Sequence, residues 1–212
     1  MSVRDAVDRL DWPRIEAQLN EEGCAVLPGV LGEGLIAELL LARPDVIADL
    51  RKHFYERLVP TANHWNAVRE IDHTYPDTLA EWMAQSGGAA VDATGDSAHS
   101  RLTRLRIDDY EPLRQYGERP NAFPLQLVAL LNEPGNDFTG GEFVLTEQRP
   151  RMQSRPMVLP LRRGDVAVLA VAHRPHKGTK GYYRVSLKHA ISRVRSGERV
   201  GIELLIDEAT VA

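Results

Sequence analysis

Basic side chains are the most concentrated chemistry-bearing groups in this 212-residue chain. Residues 149–199 hold 13 Lys and Arg against two acids, Asp165 and Glu198, whereas residues 1–100 hold 8 against 17 acids. Arg149, Arg151, Arg155, Arg174, Lys177, Lys180 and Lys188 are therefore the candidate phosphate contacts. Most fall in predicted loops or at strand ends, where they can converge on a nucleic-acid backbone and give salt-dependent, largely sequence-independent affinity. The plainer alternative is a set of solvated strand faces. Tyr182 and Tyr183 offer a stacking surface, but neighbouring strand residues point to opposite faces, so at most one faces a groove.

Metal chemistry is less well provided for. The single cysteine, Cys24, excludes an intrachain disulfide and a cysteine-based zinc site. His189 taken alone is more often a satisfied barrel histidine than a metal ligand. His173, His176 and Asp165 lie close in sequence, and Asp137 and Glu142 flank a turn, so a rebuilt metal site needs these to converge in space. His64, Trp65 and Asn66 read as helix packing.

The elements that must position these groups divide the chain. Residues 1–100 read as a helical layer belonging to the same domain as a strand-rich core over 101–212. Asp11 and Pro13 open a helix that Gly23 closes, and Cys24 to Leu27 is a strand or extended connector. Apolar residues at helical spacing predict helices over Leu35 to Leu41, Val46 to Leu58 and Thr78 to Gln85. Ser86 to Ser97 is small, polar and rich in breakers, which predicts a loop. Strands are predicted over Leu102 to Ile107, Phe123 to Leu131, Glu142 to Thr146, Met157 to Leu161, Val166 to Val171, Tyr182 to His189 and Val200 to Ile206. Arg163-Gly164-Asp165 and Ser196-Gly197-Glu198 are read as hairpin turns between them. Helices followed by antiparallel strands predict an α+β fold: a jelly-roll (double-stranded β-helix) core with the helical layer packed on one sheet. No apolar run reaches signal-peptide or membrane-spanning length, so a cytoplasmic protein without membrane contact is expected.

Several runs carry a resemblance: Phe123-Pro-Leu-Gln126, Asp137-Phe-Thr-Gly-Gly-Glu-Phe143, Thr146 to Arg155, Arg163-Gly-Asp165, Gly178 to Arg184 and His189-Ala-Ile-Ser-Arg193. Together they resemble a bacterial family of iron(II)/2-oxoglutarate oxygenases that act oxidatively on alkylated or damaged DNA bases. The likeness is strong from Leu113 to Asp207 and weaker in Asp11-Trp12 and Thr61 to Asn66. The general fold is shared with prolyl hydroxylases and alkylation-repair demethylases. Such enzymes hold iron between a His-x-Asp pair and a distal histidine, a face that leaves positions open for 2-oxoglutarate and oxygen. An arginine pairs with the far carboxylate of 2-oxoglutarate.

The resemblance implies that His189 is the distal ligand position and Arg199 the 2-oxoglutarate arginine. Arg199 equally suits a pair with Glu198, or solvent. The proximal triplet aligns with Arg114-Gln115-Tyr116, and an arginine has no lone pair to ligate iron. The chain also lacks a family segment near Leu41 to Asp45. No catalytic residue is therefore assigned, and no cofactor is expected. If the protein is active, Fe(II) and 2-oxoglutarate are its cofactors. Arg114 is itself a candidate anion-binding residue, its guanidinium standing in the vacated iron position. The reading is a non-catalytic or weakly catalytic oxygenase-fold protein that binds DNA in the response to alkylation damage. An active demethylase with unconventional ligands and a protein-interaction scaffold are the alternatives.

Overall fold

The structure is a computed structural model that describes residues 1–85, 101–116 and 122–206. Helices α1 (Val3–Asp8), α2 (Trp12–Glu22), α3 (Glu33–Leu40), α4 (Pro44–Val68) and α5 (Leu79–Gln85) form the N-terminal layer, with β1 (Cys24–Leu27) between α2 and α3. The strands that follow are β2 (Arg101–Leu105), β3 (Glu111–Arg114), β4 (Leu125–Leu130), β5 (Phe138–Gly140), β6 (Phe143–Gln148) and β7 (Arg155–Leu159). Then come β8 (Val166–Ala170), β9 (His173–Gly178), β10 (Gly181–Ile191), β11 (Val194–Gly197) and β12 (Arg199–Leu205).

Two antiparallel sheets face each other. One has the order β1-β8-β4-β12-β2; the other is β3-β10-β6-β7, with β9 also paired to β10. Alternation along β4 and β12 sorts their side chains between two cores. Leu125, Leu127, Ala129, Val200, Ile202 and Leu204 pack against the helices. Val128 and Leu130 instead face Leu145, Phe143 and Ile191 across the barrel. This is the expected α+β jelly roll with its helical layer on one sheet.

Local signals explain the helical layer. Asp11 accepts from the Arg14 amide and Pro13 stands in the first turn of α2, while Gly23 ends the helix with φ +75°. That conformation leaves room beneath it, since a Cβ there would stand 2.5 Å from Arg174 Cδ. Helix α4 runs ten residues beyond the predicted Leu58, through Pro60, because Ala62, Trp65 and Asn66 are buried against the sheet and its neighbours. The region near Leu41 is short: Leu41 to Arg43 joins α3 directly to α4. The predicted loop over Ser86 to Ser97 lies outside the described residues.

The two glycine turns correct the hairpin expectation. β7 and β8 belong to different sheets, so Arg163-Gly164-Asp165 carries the chain between sheets. Ser196-Gly197-Glu198 does the same, taking the chain from β11, which pairs with β5, into β12. Turn residues fix a local reversal; long-range pairing chooses the strand's partner. Sequence reading also missed β3, β5, β9 and β11, all short or polar.

Candidate functional site

The alternation of β10 points Val185, Leu187, His189 and Ile191 inward. His189 is buried, and its direct cross-strand neighbour on β3 is Arg114. The same alternation turns Arg114 and Tyr116 into the barrel, while Gln115 accepts a hydrogen bond from the Ser186 hydroxyl. Arg114 Nε lies 3.4 Å from His189 Nε2 and donates to it. The lone pair that would face a metal is thus directed at a guanidinium. Phe143 stacks on the other side of the imidazole, with ring centroids 5.8 Å apart.

Glu203 closes the site from the opposite sheet. It lies four residues after Arg199 on β12, hence on the same strand face. Its carboxylate accepts from Arg114 Nη2 at 2.7 and 2.9 Å and from the Tyr116 hydroxyl at 2.9 Å. Glu111 takes Arg114 Nη1 at 2.9 Å and Arg101 Nη2 at 3.0 Å. Two arginines and two glutamates therefore cancel in charge around one histidine. Burial alone would raise the Glu203 carboxyl, but Arg114, His189, Arg101 and the Tyr116 hydroxyl hold it below the usual range. For His189 burial dominates, helped by Arg114, and pushes the imidazole down to about 4. The ring is neutral at physiological pH.

Iron does not fit these groups. The lone pair of His189 is engaged by Arg114, and the space beside it holds a cation. The candidates for a rebuilt site are committed elsewhere. Asp165 accepts from the Gly29 and Arg162 amides at 2.8 Å, and Asp137 from the Glu133 amide at 2.7 Å. Glu142 bonds the Ser192 hydroxyl, and His176 sits against Arg174. Among the described residues no three His, Cys, Asp or Glu side chains are grouped to hold an ion.

Arg199 presents the opposite case. It is buried on β12, and its Nε donates to the Gly141 carbonyl at 2.9 Å. Among the described residues it has no ion pair; Glu198 instead holds Arg104 and Arg106, which disposes of the Glu198 alternative. Gly141 is needed here, because a Cβ at its φ of +66° would stand 2.9 Å from Arg199 Cδ. Arg199 lines a cavity of about 380 Å³ with Phe138, Phe143, Leu130, Leu159 and Leu161. Burial lowers the guanidinium to about 10, so it remains charged at neutral pH. Glu203 and Glu111 act on it only at a distance, and a buried cation on an apolar cavity without a direct ion pair among the described residues suits one carboxylate of an organic acid.

The basic candidates separate into two groups. Arg174 corrects the phosphate expectation: it is fully buried and paired with Glu147, and it also donates to the Pro175 carbonyl at 3.2 Å. Arg149 is held by the other oxygen of Glu147 at 2.6 Å. An inward glutamate on β6 thus holds both arginines, Arg174 fully buried and Arg149 partly exposed. Arg151, Arg155, Lys177, Lys180 and Lys188 remain exposed, with no ion pair among the described residues. Arg151 and Lys180 lie in the β6–β7 and β9–β10 turns, Arg155 starts β7 and Lys177 is near the end of β9, and all four fall at the same end of the second sheet, since Gln148 pairs with Ser186 and β10 continues beyond it. Tyr182 is exposed opposite Lys177, whereas Tyr183 is half-buried against His176. The two tyrosines divide between faces as alternation requires.

Comparison with known proteins decides the family. The model of a family described as an oxygenase catalysing oxidative methylation of damaged DNA matches residues 39–209. The chain belongs to this family. An uncharacterized Mycobacterium tuberculosis protein, Rv2227, is 36% identical over 167 residues, covering 77% of this chain and 69% of that protein. A Pseudomonas putida prolyl-4-hydroxylase structure matches with a TM-score of 0.47 at 12% identity, over 92% of this chain and 93% of that one. A Burkholderia pseudomallei oxidoreductase of the 2OG-Fe(II) oxygenase family matches at 0.45 and 17%, over 92% and 90%. No helix among the described residues is long and apolar enough to cross a membrane.

Glu111, Arg101 and above all Glu203 are the site residues sequence reading missed. The signal of Glu203 was present: a lone acid in the apolar run Val200-Gly-Ile-Glu-Leu-Leu205, four residues from Arg199. Nothing in that run names its partner, Arg114, which lies 89 positions away.

Proposed function

We propose that this protein is a non-catalytic member of its oxygenase family that binds DNA in the response to alkylation damage. The observation that carries the reading is the Arg114–Glu203 pair beside His189, at 2.7 Å, where the family's chemistry requires iron. A group that must bind and release oxygen and a cosubstrate needs open coordination positions. Here the surrounding donors are hydrogen-bonded to arginine instead.

The DNA-binding half of the proposal is supported by the exposed Arg151, Arg155, Lys177 and Lys180 at one end of the second sheet, with Lys188 on its outer face. Tyr182 shares a face with Lys177 and can stack on an unpaired base. The family description supplies damaged DNA as the context. Arg199 and its cavity retain a place for an organic anion, which suits a ligand-sensing role for the barrel.

Two assays test the reading. Fluorescence anisotropy with single- and double-stranded oligonucleotides should show affinity falling steeply between about 50 and about 200 mM salt. Arg151→Glu with Lys180→Glu should weaken it without loss of fold. After anaerobic reconstitution with Fe(II), 2-oxoglutarate should release no succinate above a protein-free control. Coupled turnover, or no DNA affinity even at low salt, would overturn the proposal.

A further inference from the structure

Two carboxylates and an imidazole lone pair converge on the single guanidinium of Arg114. Glu203 meets Nη2 at 2.7 Å, Glu111 meets Nη1 at 2.9 Å and His189 Nε2 meets Nε at 3.4 Å. Carboxylate oxygens and a neutral imidazole are the donors that a borderline divalent cation takes. They are gathered here around an organic cation that belongs to the chain. A guanidinium is delocalised, permanently charged and weakly hydrated, so it tolerates this half-buried position and uses its planar fork on both carboxylates.

We propose that Arg114 is a tethered replacement for a divalent cation, and that its removal uncovers a divalent-cation site formed by His189, Glu203 and Glu111. The charges support this. Without Arg114, Glu203 and Glu111 lose their nearest shared cation and keep Arg101, which meets Glu203 at 3.5 Å and Glu111 at 3.0 Å, with the buried Arg199 charge acting on both from farther off. The nearest positive charge is then gone from beside a neutral histidine, in a space a guanidinium has vacated. Among the described residues these donors do not group as a metal site while Arg114 stands between them, and under the proposal they close on a cation once it is removed. The native barrel thus has its central positive charge built in, independent of metal supply. The inference uses the displaced iron position but does not depend on DNA binding.

Co(II) is a suitable probe because its bound form absorbs in the visible. The parent protein should show no saturable Co(II) spectrum, and its melting temperature should be the same with and without EDTA. Arg114→Ala should melt lower in EDTA, recover with Co(II), and bind it with one-to-one stoichiometry at least about tenfold tighter than the parent. Adding His189→Ala to that variant should abolish the gain. A folded Arg114→Ala protein indifferent to Co(II) overturns the proposal, as does stoichiometric binding by the parent that His189→Ala removes. Should Arg114→Ala fail to fold, two measurements remain decisive. Arg114→Lys keeps the cation and must stay blind to Co(II); binding by that variant contradicts the idea. Mn(II) must leave the His189 ring resonances of the parent unbroadened, and selective broadening overturns it. A Co(II)-blind Arg114→Ala protein alongside metal-free DNA binding by the parent defeats this inference alone. Iron-coupled succinate release by the parent defeats the proposed function.

Discussion

The two arginines of the barrel interior have opposite electrostatic situations. Arg114 is partly exposed, yet it is gripped by Glu203, Glu111 and His189. Arg199 is more deeply buried, yet among the described residues it has only a carbonyl hydrogen bond and opens onto an apolar cavity. The first arrangement is saturated: every charge has its complement within the chain. The second has no direct ion pair among the described residues; Glu203 and Glu111 act on it only at a distance. The barrel interior thus holds one arginine in direct ion pairs and one without, and on the proposed reading the second is the place for a carboxylate.

That contrast is best broken at Arg114. Arg114→Met removes the cation while keeping much of its volume, leaving Glu203 buried and short of a partner. Stability should fall by about 3–5 kcal/mol, read from urea unfolding at neutral pH in EDTA. A loss below about 1 kcal/mol would show that the pair is not the central tie between β3 and β12.

Acid should sharpen the difference by a comparable amount. His189 titrates near 6.5 when unfolded and about 4 in the fold, so between these values the unfolded chain binds more protons. Stability therefore rises with pH through that window and is lost as pH falls from 6.5 towards 4. The full contribution is about 3 kcal/mol. Glu203, held low, adds a further loss only at more acidic pH, as it is protonated through its folded value. Urea midpoints at several pH values should show the step, and His189→Gln should flatten it.

At the other arginine the same kind of substitution should do little. Arg199→Met discards a desolvated charge and one hydrogen bond, terms that oppose each other, so stability should change by no more than about 1 kcal/mol either way. Carboxylate-dependent thermal stabilisation, tested with 2-oxoglutarate in EDTA, should be present in the parent and absent from this variant. The smallest effect belongs to the surface. Lys180→Glu should alter stability by less than about 0.5 kcal/mol while reducing the salt slope of DNA binding by about one.

The basic stretch shows why composition overstated the binding surface. Thirteen cations over residues 149–199 looked uniform in sequence. Glu147 lies just outside that stretch, faces inward on β6, and takes Arg174 and Arg149 out of it. Inward or outward direction is set by strand alternation, but whether a charge finds a buried partner is set by register with distant strands. Exposed Lys177 and buried Arg174 lie on the same strand, three residues apart.

The sequence by itself determined the α2 caps, the strand series, the positions of His189 and Arg199, and the absence of a His-x-Asp pair at Arg114-Gln115-Tyr116. These depend on local dihedral preferences, on periodicity and on side-chain chemistry that no environment reverses; an arginine lacks a lone pair wherever it stands. Only the tertiary structure decided that the glycine turns cross between sheets, that Arg174 is buried, and that Glu203 fills the space beside His189. Each is a contact between strands far apart in the chain, where the partner is selected by sheet register and barrel closure. For the same reason, the sequence shows Arg114-Gln115-Tyr116 without a His-x-Asp pair, and the fold shows that Arg114 meets Glu203 beside His189.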